Sequence, residues 1–181
     1  DRLYCDSKND THRTGAQTAM AIIAKKLFAT MAPILTYTID ELLTHSPAVI
    51  KGEASDVFDL LNTELPVVES NLNEEHLISA KEKFSEAIDT LKKDKVIKNT
   101  LELDIYTNSE TFLSLPKVET EDWFLVSSFT KTTQENPIIS FEVDGSKFEA
   151  YKASSAKCPR CWKFTSTSEE CLCDRCEGAL N

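Results

Sequence analysis

Glycine is scarce: the 181 residues contain four, Gly15, Gly52, Gly145 and Gly178. No two stand close enough for a G-x-G-x-x-G turn or a Walker loop, which excludes a glycine-rich nucleotide cradle. A self-contained nucleotide-dependent enzyme is therefore not expected. Long apolar runs are also missing, so no segment reads as a transmembrane helix and no membrane partner is expected. The opening Asp1-Arg2-Leu3-Tyr4 has neither an initiator Met nor the charged-then-apolar pattern of a secretory signal, and it reads as a cut from a longer chain. Histidine occurs three times, at His12, His45 and His76, without ligand-spaced partners, so surface or capping roles are expected for each. There is no G-x-S-x-G, no internal repeat and no low-complexity tract. The carboxylates are spread along the chain, and no catalytic residue is assigned.

Acid is in excess, with a net charge of -10 from 20 basic and 30 acidic side chains. That balance argues at first against nucleic acid, whose binding surfaces are basic. The acid is concentrated in residues 40–75 and 100–146, however. Lys147, Lys152, Lys157, Arg160 and Lys163 oppose only Glu149 near the C-terminal end, which leaves room for an RNA-binding patch there.

With 41% hydrophobic residues the chain can bury an ordinary core, in one domain or two small ones. Residues 11–32 predict an amphipathic helix with Ala16, Ala19, Met20, Ile23, Leu27, Phe28 and Met31 inward. Asp10 or Thr11 caps its start, and Pro33 stops or kinks it. A shorter helix follows, with Ile34, Leu35, Ile39, Leu42 and Leu43 inward. Val57-Phe58 and Leu60-Leu61 form a short helix in an irregular acidic stretch. Asn73 with Glu74 and Glu75 starts another helix, striped by Leu77, Phe84, Ile88 and Leu91 and closed by Lys92, Lys93 and Lys95. The period then changes. Leu101, Leu103 and Ile105 alternate with acids as a strand, Trp123 to Val126 reads as a second strand, and Ile139, Phe141 and Val143 lead through Asp144-Gly145 into Phe148 and Ala150 as a type I′ hairpin. The expected class is α+β: a helical bundle over residues 1–99, a small antiparallel or mixed β region over 100–151, and a cysteine module over 152–181.

Five of the six cysteines fall in the last 24 residues. Cys158-Pro159-Arg160-Cys161 and Cys173-Asp174-Arg175-Cys176 are two C-x-x-C knuckles separated by eleven residues. Paired knuckles at this spacing suit one tetrahedral zinc ion held by four thiolates, with no open position for substrate; the site is expected to be structural. Two disulfides would need an oxidising compartment, and a thioredoxin-type pair would leave the second knuckle unexplained. Cys171 is expected to stay free and Cys5 to be buried or partly buried.

Arg160 and Arg175 lie inside the knuckles, Trp162 directly follows the first, and Lys157, Lys163 and Phe164 flank them. An indole beside guanidinium groups suits unpaired RNA bases, by stacking and by pairing with phosphate or base edges. The alternative is that Trp162 packs under the knuckle as the module's own core, with the cations merely solvated.

These segments resemble the bacterial isoleucyl-tRNA synthetases, which are class I aminoacyl-tRNA synthetases. Lys157-Cys158-Pro159-Arg160-Cys161-Trp162 followed by Leu172-Cys173-Asp174-Arg175-Cys176 is similar to their C-terminal zinc element. Asp1-Arg2-Leu3-Tyr4-Cys5-Asp6 and Met31-Ala32-Pro33-Ile34-Leu35 with Asp40-Glu41 are similar to their anticodon-binding helical domain, and Val96-Ile97 with Thr100-Leu101-Glu102 to the later junction. Lys98 stands where the family usually has Gly, and Leu43 where it commonly has Trp. The resemblance implies a cytoplasmic, monomeric ligase that joins isoleucine to tRNA(Ile) using ATP and Mg2+ and edits misactivated valine in a separate domain. The H-I-G-H and K-M-S-K-S motifs of class I active sites do not occur in this chain, so it would bind tRNA and be inactive alone. Under this resemblance Cys158, Cys161, Cys173 and Cys176 hold Zn2+, Arg160 and Trp162 contact anticodon nucleotides, and Lys157, Lys163 and Arg175 contact phosphates.

Two other classes compete. Formamidopyrimidine-type DNA glycosylases end in a similar zinc finger, and Glu64-Leu65-Pro66-Val67-Val68-Glu69 echoes their opening motif. That motif requires a free N-terminus and is internal here, so no DNA partner is expected. A zinc-ribbon module that binds protein would suit the acidic middle.

Overall fold

The computed structural model describes residues 2–60, 64–67, 69–131 and 133–180. Asp1, Leu61 and Val68, each part of a sequence expectation above, lie outside the described residues. The chain divides into two compact units, Asp1–Glu69 and Ser70–Asn181.

The first unit is helical. It contains α1 (Arg2–Cys5), α2 (Thr11–Met31), α3 (Thr36–His45) and α4 (Ala48–Lys51), followed by a 3-10 turn at Val57–Leu60. Asp10 starts α2 as expected: its carboxylate accepts the backbone N–H groups of His12 at 2.7 Å and Arg13 at 3.3 Å. Pro33 lies between α2 and α3. Two small apolar clusters hold the unit, Ala29 with Leu43 and Leu60, and Ala32 with Ile39 and Val57; Phe28 packs against both. Cys5 is buried. The burial differs from the expected stripes. Ala19, Met20, Ile23 and Leu27 of α2 face solvent in this unit, as do Ile34, Leu35 and Leu42 around α3. Spacing shows which residues share a helix face but not which face is covered, and α2 is apolar on more than one side.

The second unit is built on a four-stranded sheet. Its elements are α5 (Glu74–Lys93), a 3-10 turn at Thr100–Glu102, β1 (Leu103–Thr107), α6 (Glu110–Leu113), α7 (Lys117–Phe124), β2 (Ser128–Thr130), β3 (Ile139–Val143) and β4 (Ser146–Lys152). The order across the sheet is β2-β1-β4-β3. β4 runs antiparallel to both β1 and β3, but β1 and β2 are parallel, so the sheet is mixed rather than antiparallel. A parallel pair needs a crossover connection, and α6 and α7 supply it. For that reason Trp123 and Phe124 end a helix instead of forming the expected strand; Leu125, at φ 56°, stops α7 before β2.

Asn73 caps α5 by accepting the His76 N–H at 3.1 Å, with Glu74 and Glu75 in the first turn and Lys92 and Lys93 in the last. The inner face of α5 (Leu77, Ala80, Phe84, Ile88) packs on the sheet with Leu103, Ile105, Phe112, Phe124, Phe129 and Phe148. Helix α5 thus shares its core with the strands, where the sequence grouping put it with the preceding helices. Asp144 and Gly145 both take positive φ, 49° and 76°, the backbone that a type I′ turn between β3 and β4 requires. No helix among the described residues is long and apolar enough to cross a membrane.

Candidate metal centre

The end of the second unit carries a two-stranded hairpin, β5 (Ala156–Lys157) and β6 (Phe164–Ser166), and a short helix, α8 (Asp174–Gly178). The first knuckle is the turn of that hairpin. Cys158 N–H donates to the Lys163 carbonyl at 2.9 Å, and Trp162 N–H donates back to the Cys158 carbonyl at 3.0 Å. The second knuckle opens α8, whose Glu177 N–H donates to the Cys173 carbonyl at 3.0 Å. The knuckles are joined by Cys173 N–H, which points at the Cys158 sulfur at 3.4 Å.

Cys158, Cys161, Cys173 and Cys176 are all buried, and their sulfurs lie within 4.8 Å of one another. The Cys161 and Cys173 sulfurs are 3.7 Å apart. Four sulfurs around zinc at about 2.3 Å form a tetrahedron with edges of about 3.8 Å, so the donor set has the size and chemistry of one zinc ion. All six cysteines are free thiols, and the four of the knuckles form a group that could hold a metal ion. Cys171 stays apart as expected: it is exposed, and its carbonyl accepts the Ser166 hydroxyl at 2.7 Å. No other group of His, Cys, Asp and Glu among the described residues comes together this way.

The thiols are unequal. Burial opposes ionisation of Cys158, but N–H groups of Cys161, Cys173 and Arg160 outweigh it and bring its pKa down to about 6. Burial dominates at Cys161 and Cys176 and pushes both thiols up; a hydrogen bond from the Arg160 side chain opposes it at Cys176. Three backbone N–H donors therefore prepare Cys158 as a thiolate, while Cys161 and Cys176 would give up protons to an entering cation.

The five cationic or aromatic residues expected at RNA do not share one environment. Trp162 is 62% exposed, so it is not the core of its module. Its backbone is left-handed, at φ 65°, and the Lys157 ammonium lies 5.2 Å from its ring centroid, within cation–π range. Arg160 and Arg175 are half-buried beside the knuckles. Lys163 departs from the expectation. It is 6% exposed, and its ammonium donates to Glu121 Oε2 at 3.1 Å and Asp122 Oδ1 at 3.3 Å, both on α7. Those partners leave it unavailable to a phosphate.

Two polar features had no sequence signal. His76 is buried rather than at the surface, because its ring bridges Asp144 (Nδ1 to Oδ2, 2.9 Å) and Ser109 (Nε2 to Oγ, 2.8 Å). A carboxylate only accepts, so Nδ1 carries a proton toward Asp144, and the Ser109 hydroxyl can serve Nε2 as donor or acceptor. The order of groups is that of an acyl-transfer relay, but Ser109 is 2% exposed. The trio ties α5 to the β1–α6 loop and the β3–β4 turn.

Asp104 on β1 is half-buried, and its Oδ1 is buried with no hydrogen-bond partner among the described residues. Burial raises its pKa to about 6, with Lys117 opposing and Glu121 adding to the shift. The folded state therefore penalises the ionised form. The penalty is absent below the ordinary value of 3.8, grows as pH rises toward about 6, and is complete above it. Asp104→Asn is expected to stabilise the protein at pH 7.5 by about 1–2 kcal/mol, a figure discounted for the part of the carboxylate still facing water, and to lose that advantage at pH 4. Urea unfolding of both proteins at the two pH values checks this; an equal difference at both would refute it.

No family model matches the chain. The isoleucine–tRNA ligase of Aliarcobacter butzleri (strain RM4018) is 61% identical over 181 residues, covering 99% of this chain and 20% of that protein. The isoleucine–tRNA ligase of Campylobacter lari is 49% identical over 178 residues, and that of Sulfurovum sp. 48% over 176, each covering 19% of the relative. The chain thus spans about a fifth of the length of the relatives it matches. Over nearly all of its residues the chain is thus similar to one segment of these isoleucine–tRNA ligases.

Proposed function

We propose that this chain is the tRNA-recognition segment of an isoleucine–tRNA ligase, with its knuckles at the anticodon stem-loop of tRNA(Ile). The observation that carries the reading is Trp162, a large aromatic side chain held in the open on a metal-binding turn, with Lys157 beside it. Cys158, Cys161, Cys173 and Cys176 hold one structural Zn2+, whose closed sphere of thiolates orders the turn and takes no part in the reaction. The indole stacks on an unpaired base, and Lys157, Arg160 and Arg175 contact phosphate or base edges. ATP, Mg2+ and the ligation step belong to the rest of the polypeptide, since this chain lacks both class I active-site motifs. The parent enzyme works as a monomer in the cytoplasm, without DNA or membrane partners.

The test is binding of labelled isoleucine tRNA against a non-cognate tRNA, with and without chelator, at two salt concentrations. Preferential binding that weakens with salt and after metal removal supports the reading. Trp162→Ala is expected to cost about 1–3 kcal/mol of binding, in line with the loss of one base–aromatic stack. In the full-length ligase the same change raises KM for tRNA. Unchanged aminoacylation by that variant would remove Trp162 from the interface.

A further inference from the structure

We infer that Lys163 is a positioning residue: its buried ion pairs to Glu121 and Asp122 of α7 fix the direction in which the metal knuckle presents Trp162. The inference rests on the tRNA-recognition reading above and goes beyond it by assigning the residue that aims the contact.

Most of the Trp162 side chain is exposed, and the Lys157 ammonium over its ring is itself on an exposed, flexible side chain. Trp162 stands in the open at a left-handed backbone position, so its direction is set by its neighbours in the chain. On one side is Cys161, a metal ligand. On the other is Lys163, which is fixed twice. Its carbonyl accepts the Cys158 N–H at 2.9 Å, closing the knuckle, and its ammonium reaches α7 at 3.1 and 3.3 Å. The next residue is fixed as well: Phe164 N–H donates to Ser127 Oγ, which donates in turn to the Leu101 carbonyl beside β1.

These attachments join the module to the sheet's own elements. The Phe164 bond holds β6, a residue past the turn, whereas the Lys163 side chain acts directly beside the indole. Both carboxylates are themselves largely buried, with 13% and 22% of their side chains exposed, and Lys117 lies 3.7 Å from the other oxygen of Glu121. An ammonium held between two carboxylates in a shielded site has one arrangement, unlike a surface pair that water can replace. Without it the knuckle keeps its metal and its β6 bond but gains freedom to rotate. A contact loosened by about 1 Å in a positioned site is enough for a large functional loss.

The test uses the full-length ligase, with residues numbered as in this chain. Lys163→Met is expected to raise KM for isoleucine tRNA on the order of tenfold with kcat unchanged, and Lys163→Arg, which keeps the charge, to restore most of it. Lys163→Met also uncovers two carboxylates that would repel phosphate and strain the fold. The triple variant Lys163→Met, Glu121→Gln, Asp122→Asn removes the pin without uncovering either carboxylate, and the Lys117 ammonium that loses its Glu121 partner is exposed to water. Its KM is expected to stay raised. Cobalt substitution supplies the control, because thiolate-to-cobalt absorption reports an intact metal knuckle in each variant. A triple variant with the parent's KM would overturn the inference, since charge and not direction would then be at work. Loss of the cobalt spectrum in Lys163→Met would overturn it too, by making Lys163 a support of the metal site. Trp162→Ala in the same assay keeps the two readings apart. If it raises KM while Lys163→Met does not, only the positioning role fails. If neither raises KM, the recognition reading fails with it.

Discussion

Stripping the metal from the zinc-loaded protein at pH 7.5 is expected to unfold residues 156–178 while the sheet and α5 stay folded. Among the described residues after Lys152, the buried apolar side chains are the four cysteines alone; Lys163 and Ser166 are the buried polar ones. The module thus has no core apart from these four thiols, and a metal bound by them would supply its folding free energy, about 10–16 kcal/mol for small zinc modules at neutral pH. The core of the second unit, from Leu77 through Phe148 to Ala150, contains none of the cysteines. Amide exchange reads the difference directly. After chelation the N–H groups of Cys158, Trp162 and Glu177 lose protection, whereas those of α5, β1 and β4 keep theirs. Cys158→Ser or Cys176→Ser has the same effect, and acidification releases the metal because every ligand must be a thiolate. Protection retained in a verified metal-free sample would show that Lys163 and the Ser127 bond hold the hairpin unaided.

Phe148→Ala is expected to do the reverse, lowering the stability of the sheet and α5 by about 3–5 kcal/mol. Phe148 is fully buried on β4 and stacks on Phe141 with ring centroids 5.1 Å apart and planes 3° from parallel. It also meets Phe112 edge-on at 5.5 Å and Phe124 at 6.1 Å. Truncation removes one side of these ring contacts, and of a fourth to the His76 ring at 6.2 Å, and leaves a cavity between strand and helix that rigid neighbours cannot fill. Domains of this size are stable by about 5–15 kcal/mol in total, so the loss is a large share. Equilibrium urea unfolding measures it, with Phe58→Ala, at an exposed position of the first unit, as the control expected to change little. A cost below about 1 kcal/mol at Phe148 would mean that the ring cluster repacks.

Much of this architecture was legible wherever the signal is local. Asp10 and Asn73 are caps whose oxygens need only N–H groups two or three residues on, and Asp144-Gly145 is a turn made by two backbones. The four cysteines are legible for the same reason, since two short turns preset each pair. Misreadings fall where the answer lies far along the chain. Trp123 to Val126 is too short an apolar run to separate strand from helix end, and the parallel pairing of β1 with β2 decides it. Met20, Ile23 and Leu27 share a face by period, yet their exposure depends on what covers that face. Lys163 reads as part of a basic cluster because its neighbours in sequence are basic, while its partners sit forty-two and forty-one residues upstream. His76 is buried by groups thirty-three and sixty-eight residues away.

The left-handed backbone at Trp162 has a consequence for how this position can vary. A bulky L-residue at φ 65° gives up about 1 kcal/mol or more relative to glycine, which adopts that conformation freely. Its exposed ring recovers little of this by burial within the chain. Trp162→Gly would therefore relax the turn and ease the folding of the knuckle around its metal. Judged by folding alone, tryptophan is a poor choice for this site. Under the role proposed for it at tRNA, the indole would repay that strain only through what it meets outside the chain.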